Sequence, residues 1–237
     1  MAKLLWDQTG ERRYETGSKM GVLYLQNASG GYPSGVAWNG LTGVSDNPTG
    51  GDATKLWADD MKYLTMRSAE EFGFTIRAYQ SPDEFDVCDG SVQVLSGVSF
   101  GQQNRQAFGF CYRSVIGNDV KLNDYGYKLH LYYGCTASPS SREHTTVNDN
   151  PDAIEMSWDC ETNPVATTVK DGNGIVLKPV CTIEIDSTAF TESTPRANLD
   201  ALEAKLYGTD TSGSTEGTIA TLPLPDEVYT TLGGTLT

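Results

Sequence analysis

The run "QSPDEFDVCDGS", residues 80–91, sets Asp83, Glu84, Asp86 and Asp89 around the thiol of Cys88. Three chemistries use acids and a cysteine in this way. A calcium loop of the EF-hand kind, ending its acidic half at Asp89-Gly90, needs oxygen ligands at Phe85 and Val87, and neither side chain carries one. A zinc site needs Cys and His at short spacing, whereas the chain has no CxxC and two histidines, His130 and His144. A catalytic thiol needs a base, which one of those histidines would have to supply across the fold, and acidic neighbours raise a thiol pKa rather than lower it. The reading that survives is structural. Pro82 at a first helical position, followed by Asp83 and Glu84, starts a short helical turn with acids at the positive end of its dipole. "LPLPDEV" repeats the device at Pro225, Asp226 and Glu227.

Other chemical patterns are missing: the chain has no GxxxxGK[ST], GxGxxG, GxSxG or HExxH. With 31 Asp and Glu a glycosidase-like pair of carboxylates can be drawn almost anywhere, so such a pair carries no information. The expectation is no catalytic residue, no cofactor and no metal.

The chain has 237 residues, enough for a core that needs neither disulfides nor metals. Its 17 Lys and Arg against 31 acids give a formal charge of −14, which repels a phosphate backbone and an anionic membrane. Arg12-Arg13 is the only adjacent basic pair. Five cysteines, Cys88, Cys111, Cys135, Cys160 and Cys181, are an odd number at wide spacing, and "MAKLLWDQTGERRYE" lacks the apolar run of a signal peptide. Free thiols in a reducing cytosol are expected. The longest apolar stretch, around "LHLYYG", is too short to cross a bilayer.

The elements that must position any site are mostly strands. Phe72, Phe74 and Ile76 alternate with Gly73, Thr75 and Arg77, and Phe108, Phe110 and Tyr112 alternate with Gly109, Cys111 and Arg113, as half-buried strands do. Tyr127, Leu129, Leu131 and Tyr133 mark a third, and Ile154, Met156 and Trp158 a fourth. "VATTVKDGNGIVLKPVCTIEID" predicts two strands joined at Asp171-Gly172-Asn173-Gly174. In "AWNGLTGV", Asn39-Gly40 is either a hairpin turn or a bend inside one long strand. One helix is predicted, with Leu199, Leu202 and Leu206 on one face, a Thr194 cap, Pro195 in the first turn and Gly208 as the stop. Ser68-Ala69-Glu70-Glu71 matches a capping box, but the alternation that begins at Phe72 overrides it. Residues 209–218 form a polar loop.

Taken in order, "LLWDQTGERRYETG", "GVAWNGLTGV", "TKLWADDMKYLTM", "EFGFTIRAYQSPDEFDVCDG", "GQQNRQAFGFCYRSVIGND", "DYGYKLHLYYG", "VNDNPDAIEMSWD" and "LPLPDEV" resemble the major tail protein, or tail tube protein, of bacteriophages and prophages with long flexible tails. The likeness spans residues 4–228 and rests on the ordered set. It implies a mainly β fold, a tail-tube-type β-sandwich or barrel with one flanking α-helix, in a single domain over 1–237 with an N-terminal arm (about 1–20) and a C-terminal arm (about 208–237). It also implies a structural virion protein, made in the host cytoplasm and residing in the virion tail. Homohexameric rings would stack into a tube for DNA ejection, with tape-measure, tail-terminator and baseplate proteins as partners. Genomic DNA would pass without specific binding, no membrane would be involved, and the 80–91 run would be structural.

Few Lys or Pro guard the strand edges, which leaves them available to neighbouring subunits. Residues 45–55, "SDNPTGGDATK", read as a polar loop between two strands, and Ser45, Asp46, Asn47, Asp52 and Lys55 are its candidates for contact with the next ring; a free surface loop is the other reading. Glu155, Asp159, Glu184 and Asp186 alternate with apolar strand positions and are candidates to line the lumen, though each can equally face the tube's exterior. The negative charge suits a wall that DNA slides past, and it equally suits ordinary solubility. The rival reading is a β-sandwich carbohydrate- or receptor-binding module that stacks its ligand on Trp6, Trp38, Trp57 or Trp158; an exposed coplanar row of aromatics would favour it, while core or interface burial would not.

Overall fold

Alternating apolar and polar residues fold most of the chain into antiparallel strands. The computed structural model describes residues 3–140, 142–144, 146, 153–211 and 216–236. Residues 147–152 of "VNDNPDAIEMSWD", 212–215 of the polar loop, and residues 1–2 and 237 of the two arms lie outside them. In chain order the strands are β1 (Arg13–Leu25), β2 (Gly35–Trp38), β3 (Leu41–Asp46), β4 (Thr49–Gly50), β5 (Ala53–Ala58), β6 (Met61–Arg67), β7 (Glu70–Glu71), β8 (Gly73–Ala78), β9 (Val92–Leu95), β10 (Val98–Phe100), β11 (Phe108–Asn118), β12 (Leu122–Ala137), β13 (Met156–Thr162) and β14 (Thr182–Asp186). The helices are α1 (Asp86–Asp89), α2 (Ser193–Tyr207) and α3 (Pro225–Thr231).

Eight strands form one antiparallel sheet along the path β2-β1-β11-β12-β13-β8-β3, with β14 also beside β12. β12 serves two partners on the side away from β11: Lys128 to Tyr132 pair with β14, and Cys135 to Ala137 pair with β13. The partners change over at Gly134. Its φ is +59°, and an added Cβ would stand 2.2 Å from the Asn163 carbonyl oxygen, so only glycine fits.

The end strands of this path, β2 and β3, follow one another in the chain with only Asn39 and Gly40 between them. β2 pairs with β1 and β3 pairs with β8, so Asn39-Gly40 is a bend in one long strand and not a hairpin turn. Gly40 takes φ +76° there, and its carbonyl accepts the Tyr79 N–H at 2.9 Å. The sheet is therefore rolled until its two edges meet.

Inside the roll, Leu23, Trp38, Phe74, Phe110, Tyr132 and Trp158 form an aromatic core. Phe74 and Tyr132 stand 4.5 Å apart and tilted, the arrangement aromatic quadrupoles favour over a face-to-face stack. Outside it, Val22, Tyr24, Leu129, Leu131, Tyr133 and Ile185 pack against the two helices α2 and α3. Cover on both faces corrects the expectation for β11 and β12. They read as half-buried, yet both faces are filled, because small residues such as Gly109 admit the outer layer: a Cβ there would meet Leu222 at 2.4 Å.

α2 buries Leu199, Leu202 and Leu206 as predicted and ends at Gly208, but Glu192 precedes its first residue as the cap, not Thr194. α3 is a second flanking helix where the sequence predicted one. Its first turn, Pro225-Asp226-Glu227, was read as a helical start, and the buried Val228 that extends it carries too little periodicity to announce a helix. Of the stretch assigned to a C-terminal arm, Leu222 and Val228 are buried, while at the other end residues 3–9, ahead of β1, are exposed. Among the described residues no helix is long and apolar enough to cross a membrane.

Candidate assembly surface

β5 and β6 pair from Ala53↔Arg67 to Ala58↔Met61 and turn through Asp59 and Asp60, both at positive φ as a type I′ turn requires. Every residue of both strands is exposed. The β4–β7 pair carries this ribbon outward from β3 and β8, so residues 41–78 make one long hairpin whose outer part leaves the domain. The six residues of β5 alone span about 20 Å. Leu56 stands opposite Leu64 beside Met66, and Trp57 and Tyr63 are 67% and 71% exposed. A lone two-stranded ribbon is marginal in water, and one that presents large apolar groups is a surface to be covered.

Three more segments share this character. β9 and β10 turn at Gly97 and expose Val94, Leu95 and Phe100. The ribbon of residues 165–180 turns where expected, with the Asp171 carboxylate accepting the N–H groups of Asn173 and Ile175 at 2.9 Å, and it exposes Ile175, Val176 and Leu177. Its root is clamped by Asp226, which accepts from Thr167 Oγ1 at 2.5 Å and from Thr168 N and Oγ1 at 2.9 and 2.6 Å. The last segment is Leu4-Leu5-Trp6.

Residues 45–55 are not a loop between strands but the outgoing limb of the long hairpin. Ser45 and Asp46 belong to β3, and Asp46 accepts the Tyr132 hydroxyl at 2.6 Å. The Asn47 amide donates to Thr75 Oγ1 at 2.7 Å, the Asp52 carbonyl accepts the Ser68 N–H at 3.2 Å, and only Lys55 stands on the free ribbon. Pro48, Gly50 and Gly51 interrupt the alternation, and a ribbon wet on both faces has no in-out period to read.

The four acids predicted for a lumen fall into two places. Asp159 lies on the face of β13 away from the core and accepts the Thr75 hydroxyl at 2.7 Å; Glu155 accepts from Thr42. Glu184 and Asp186 lie on β14 opposite His130 and Lys128 and so share their face. Glu184 pairs with Lys128 at 3.3 Å, and Asp186 caps a turn by accepting the Thr188 N–H at 2.8 Å.

The 80–91 run plugs the roll. After Pro82 a short 3-10 turn, Asp83–Phe85, leads into α1, which ends at Gly90 in the left-handed region. Phe85 and Cys88 are buried in the aromatic core, and Asp89 is held by Arg142 at 2.6 Å and Arg105 at 3.5 Å. Burial, aided by Asp89, pushes the Cys88 thiol up to about 12, the reverse of what a nucleophile needs. Cys88, Cys111, Cys135 and Cys160 are buried, Cys181 is half-buried, and all five are free. Non-reducing mass spectrometry is therefore expected to find five thiols, with Cys181 alkylated in the native protein and the other four only after unfolding. A disulfide, or native labelling of Cys88, would contradict this account.

Sequence reasoning missed the polar end of the roll. His130 is buried, its ring lies parallel to Tyr112 at 4.4 Å, and Nε2 is 2.9 Å from Ser114 Oγ, whose hydroxyl donates to Glu15 at 2.5 Å. Lys128 closes the group on Glu15 at 2.8 Å. Burial lowers the His130 pKa against the upward pull of Glu184 and Glu15. The folded chain thus holds His130 neutral at a pH where the unfolded chain, near 6.5, protonates it. Stability is full above that value and falls as the pH drops towards the lowered one, by at most about 1.4 kcal/mol per pH unit. Burial raises the Glu15 pKa, but hydrogen bonds from Lys128 and Ser114 outweigh it, so Glu15 adds its own loss only below the ordinary glutamate range. Urea midpoints at pH 7.5 and 5.5 should show the first loss in wild type and a smaller one in His130→Gln. An equal loss in both would refute the assignment.

A scan against models of protein families and a search of curated proteins find no match to the chain.

Proposed function

We propose that the chain is a structural subunit that closes into rings and stacks them into the tube of a long, flexible phage-type tail. The observation that carries the reading is the β5–β6 ribbon, a hairpin exposed along its whole length whose Leu56, Trp57, Tyr63 and Met66 offer an apolar surface to another copy. A rolled sheet flanked by helices suits the β-sandwich or barrel of such a subunit, and ribbons that leave the domain suit contacts between successive rings. The charge of −14 per copy suits a conduit that DNA traverses without sticking, since no phosphate contact releases counterions. Tape-measure, tail-terminator and baseplate proteins would be its partners in the virion.

The binding-module reading is weaker on a specific point. Trp38 and Trp158 are in the core, and Trp6 and Trp57, both exposed, sit on separate segments among aliphatic neighbours such as Leu5 and Leu56. Glycan platforms need coplanar aromatics beside polar partners. Negative-stain electron microscopy of the purified chain at rising concentration tests the reading: rings or stacked tubes are expected. Protein that stays monomeric throughout would overturn it.

A further inference from the structure

The open edge of β14 adjoins an apolar groove. The Tyr133 N–H donates to the Cys181 carbonyl at 2.9 Å, so by antiparallel alternation Ile183 and Ile185 aim their backbone groups at β12, while Thr182 and Glu184 aim theirs outward. No further strand pairs with β14 among the described residues. Beside this edge, between the 165–180 ribbon and α3, lies a cavity of about 350 Å³ lined by Leu177, Ile183, Ile185, Phe190, Val228 and Tyr229. That is within the range of pockets that take a few large side chains.

We infer that this groove receives the segment Lys3 to Trp6 of a second copy, laid along β14 as an added strand. The segment has the right character: Leu4, Leu5 and Trp6 are 71%, 67% and 72% exposed and lie outside any helix or strand of their own chain. Charge matches as well. The charged residues that line the groove are Glu184 and Asp186, and the segment's charged residue is Lys3. Glu184 already has Lys128, whereas Asp186 has no ion pair among the described residues and takes its hydrogen bonds from Thr188. An extended segment offers its own backbone groups to the outward N–H and C=O of Thr182 and Glu184, which gives affinity, and its side chains fill the groove, which sets the register. Each chain carries one segment and one groove, so the contact runs head to tail, and a head-to-tail contact closes into a ring when the rotation permits.

This inference rests on the self-assembly proposed above, and its test separates the two. Full-length chain carrying the photo-cross-linker p-benzoylphenylalanine in place of Leu5 is mixed with isotopically heavy unmodified chain, irradiated and mapped by mass spectrometry. Cross-links from the light segment to heavy residues 176–186 or 225–232 are expected. They should fall about tenfold, the loss of a single good contact, when the heavy chain carries Leu177→Asp and Tyr229→Asp, two partly exposed positions whose change spares the core. Links confined to one light chain would show that the segment folds back on its own copy, and links to another surface, or none, would equally overturn the inference. Electron microscopy of the same sample divides the failures. Rings without these links sink the groove alone, and the absence of any assembly sinks both readings.

Discussion

Excision of residues 53–67, with Asp52 joined to Ser68 through a Gly-Ser link, is expected to leave a folded chain that forms no tubes. The ends to be joined already meet, since the Ser68 N–H donates to the Asp52 carbonyl at 3.2 Å. Neither the aromatic core nor the layer packed on the helices includes a residue from β5 or β6. Removal therefore costs the monomer little, within about 0.5 kcal/mol as for surface changes remote from the core. What it removes is the apolar surface of Leu56, Trp57, Tyr63, Leu64 and Met66. Thermal melting followed by circular dichroism should be nearly unchanged, while sedimentation and microscopy show the loss of every species larger than a single ring. Tubes that persist after the excision would remove the ribbon from the account of stacking.

Phe85→Ala should be the most destabilising change in the acidic run with which the sequence opens its chemistry. The ring is held among Trp38 at 4.6 Å, Trp158 at 5.3 Å and Phe108 at 5.5 Å. Loss of a buried phenylalanine costs about 3–5 kcal/mol through lost transfer energy and the cavity left behind. In a chain of this length each kcal/mol lowers the melting temperature by about 2–4 °C. Asp83→Asn and Glu84→Gln, in contrast, should stay within about 0.5 kcal/mol of wild type, because both side chains face water. Urea unfolding of the three variants decides the matter. Carboxylate variants that cost more than Phe85→Ala would return the run to the list of functional sites.

Strands with a dry face were legible and strands wet on both faces were not. Phe74, Ile76 and Trp158 announce β8 and β13 because their neighbours Thr75, Arg77 and Asp159 point the other way into water. In β5 and β6 both faces are wet, so period two has nothing to act on, and the sequence shows this ribbon only in part, as a polar loop at its near end. β11 and β12 were legible as strands, and what their alternation hid is that the second face is dry as well. The polar group at His130 was invisible because its members, Glu15, Ser114, Lys128, His130 and Glu184, come from four strands. No local spacing unites residues that only the roll brings together. Asn39-Gly40 is undecided between turn and bend for a related reason: a two-residue Asn-Gly pair suits either, and which one forms depends on strands β1 and β8, distant in sequence from each other.

The joining of β2 to β3 has a consequence in time. β1 pairs with β11 from Arg13↔Asn118, partners about a hundred residues apart, and the roll cannot close until β8, β11, β12 and β13 have all taken their places. A ribosome adding about 5–20 residues per second leaves β1 waiting roughly 5–20 s for its partner. Topologies dominated by such distant pairings also fold in milliseconds to seconds rather than microseconds. The β5–β6 ribbon, by contrast, pairs residues adjacent in the chain and needs only microseconds. Paired or not, so marginal a hairpin leaves Leu56, Trp57 and Tyr63 exposed on the nascent chain during the seconds before a core exists, and keeping the growing chains dilute is what limits their association.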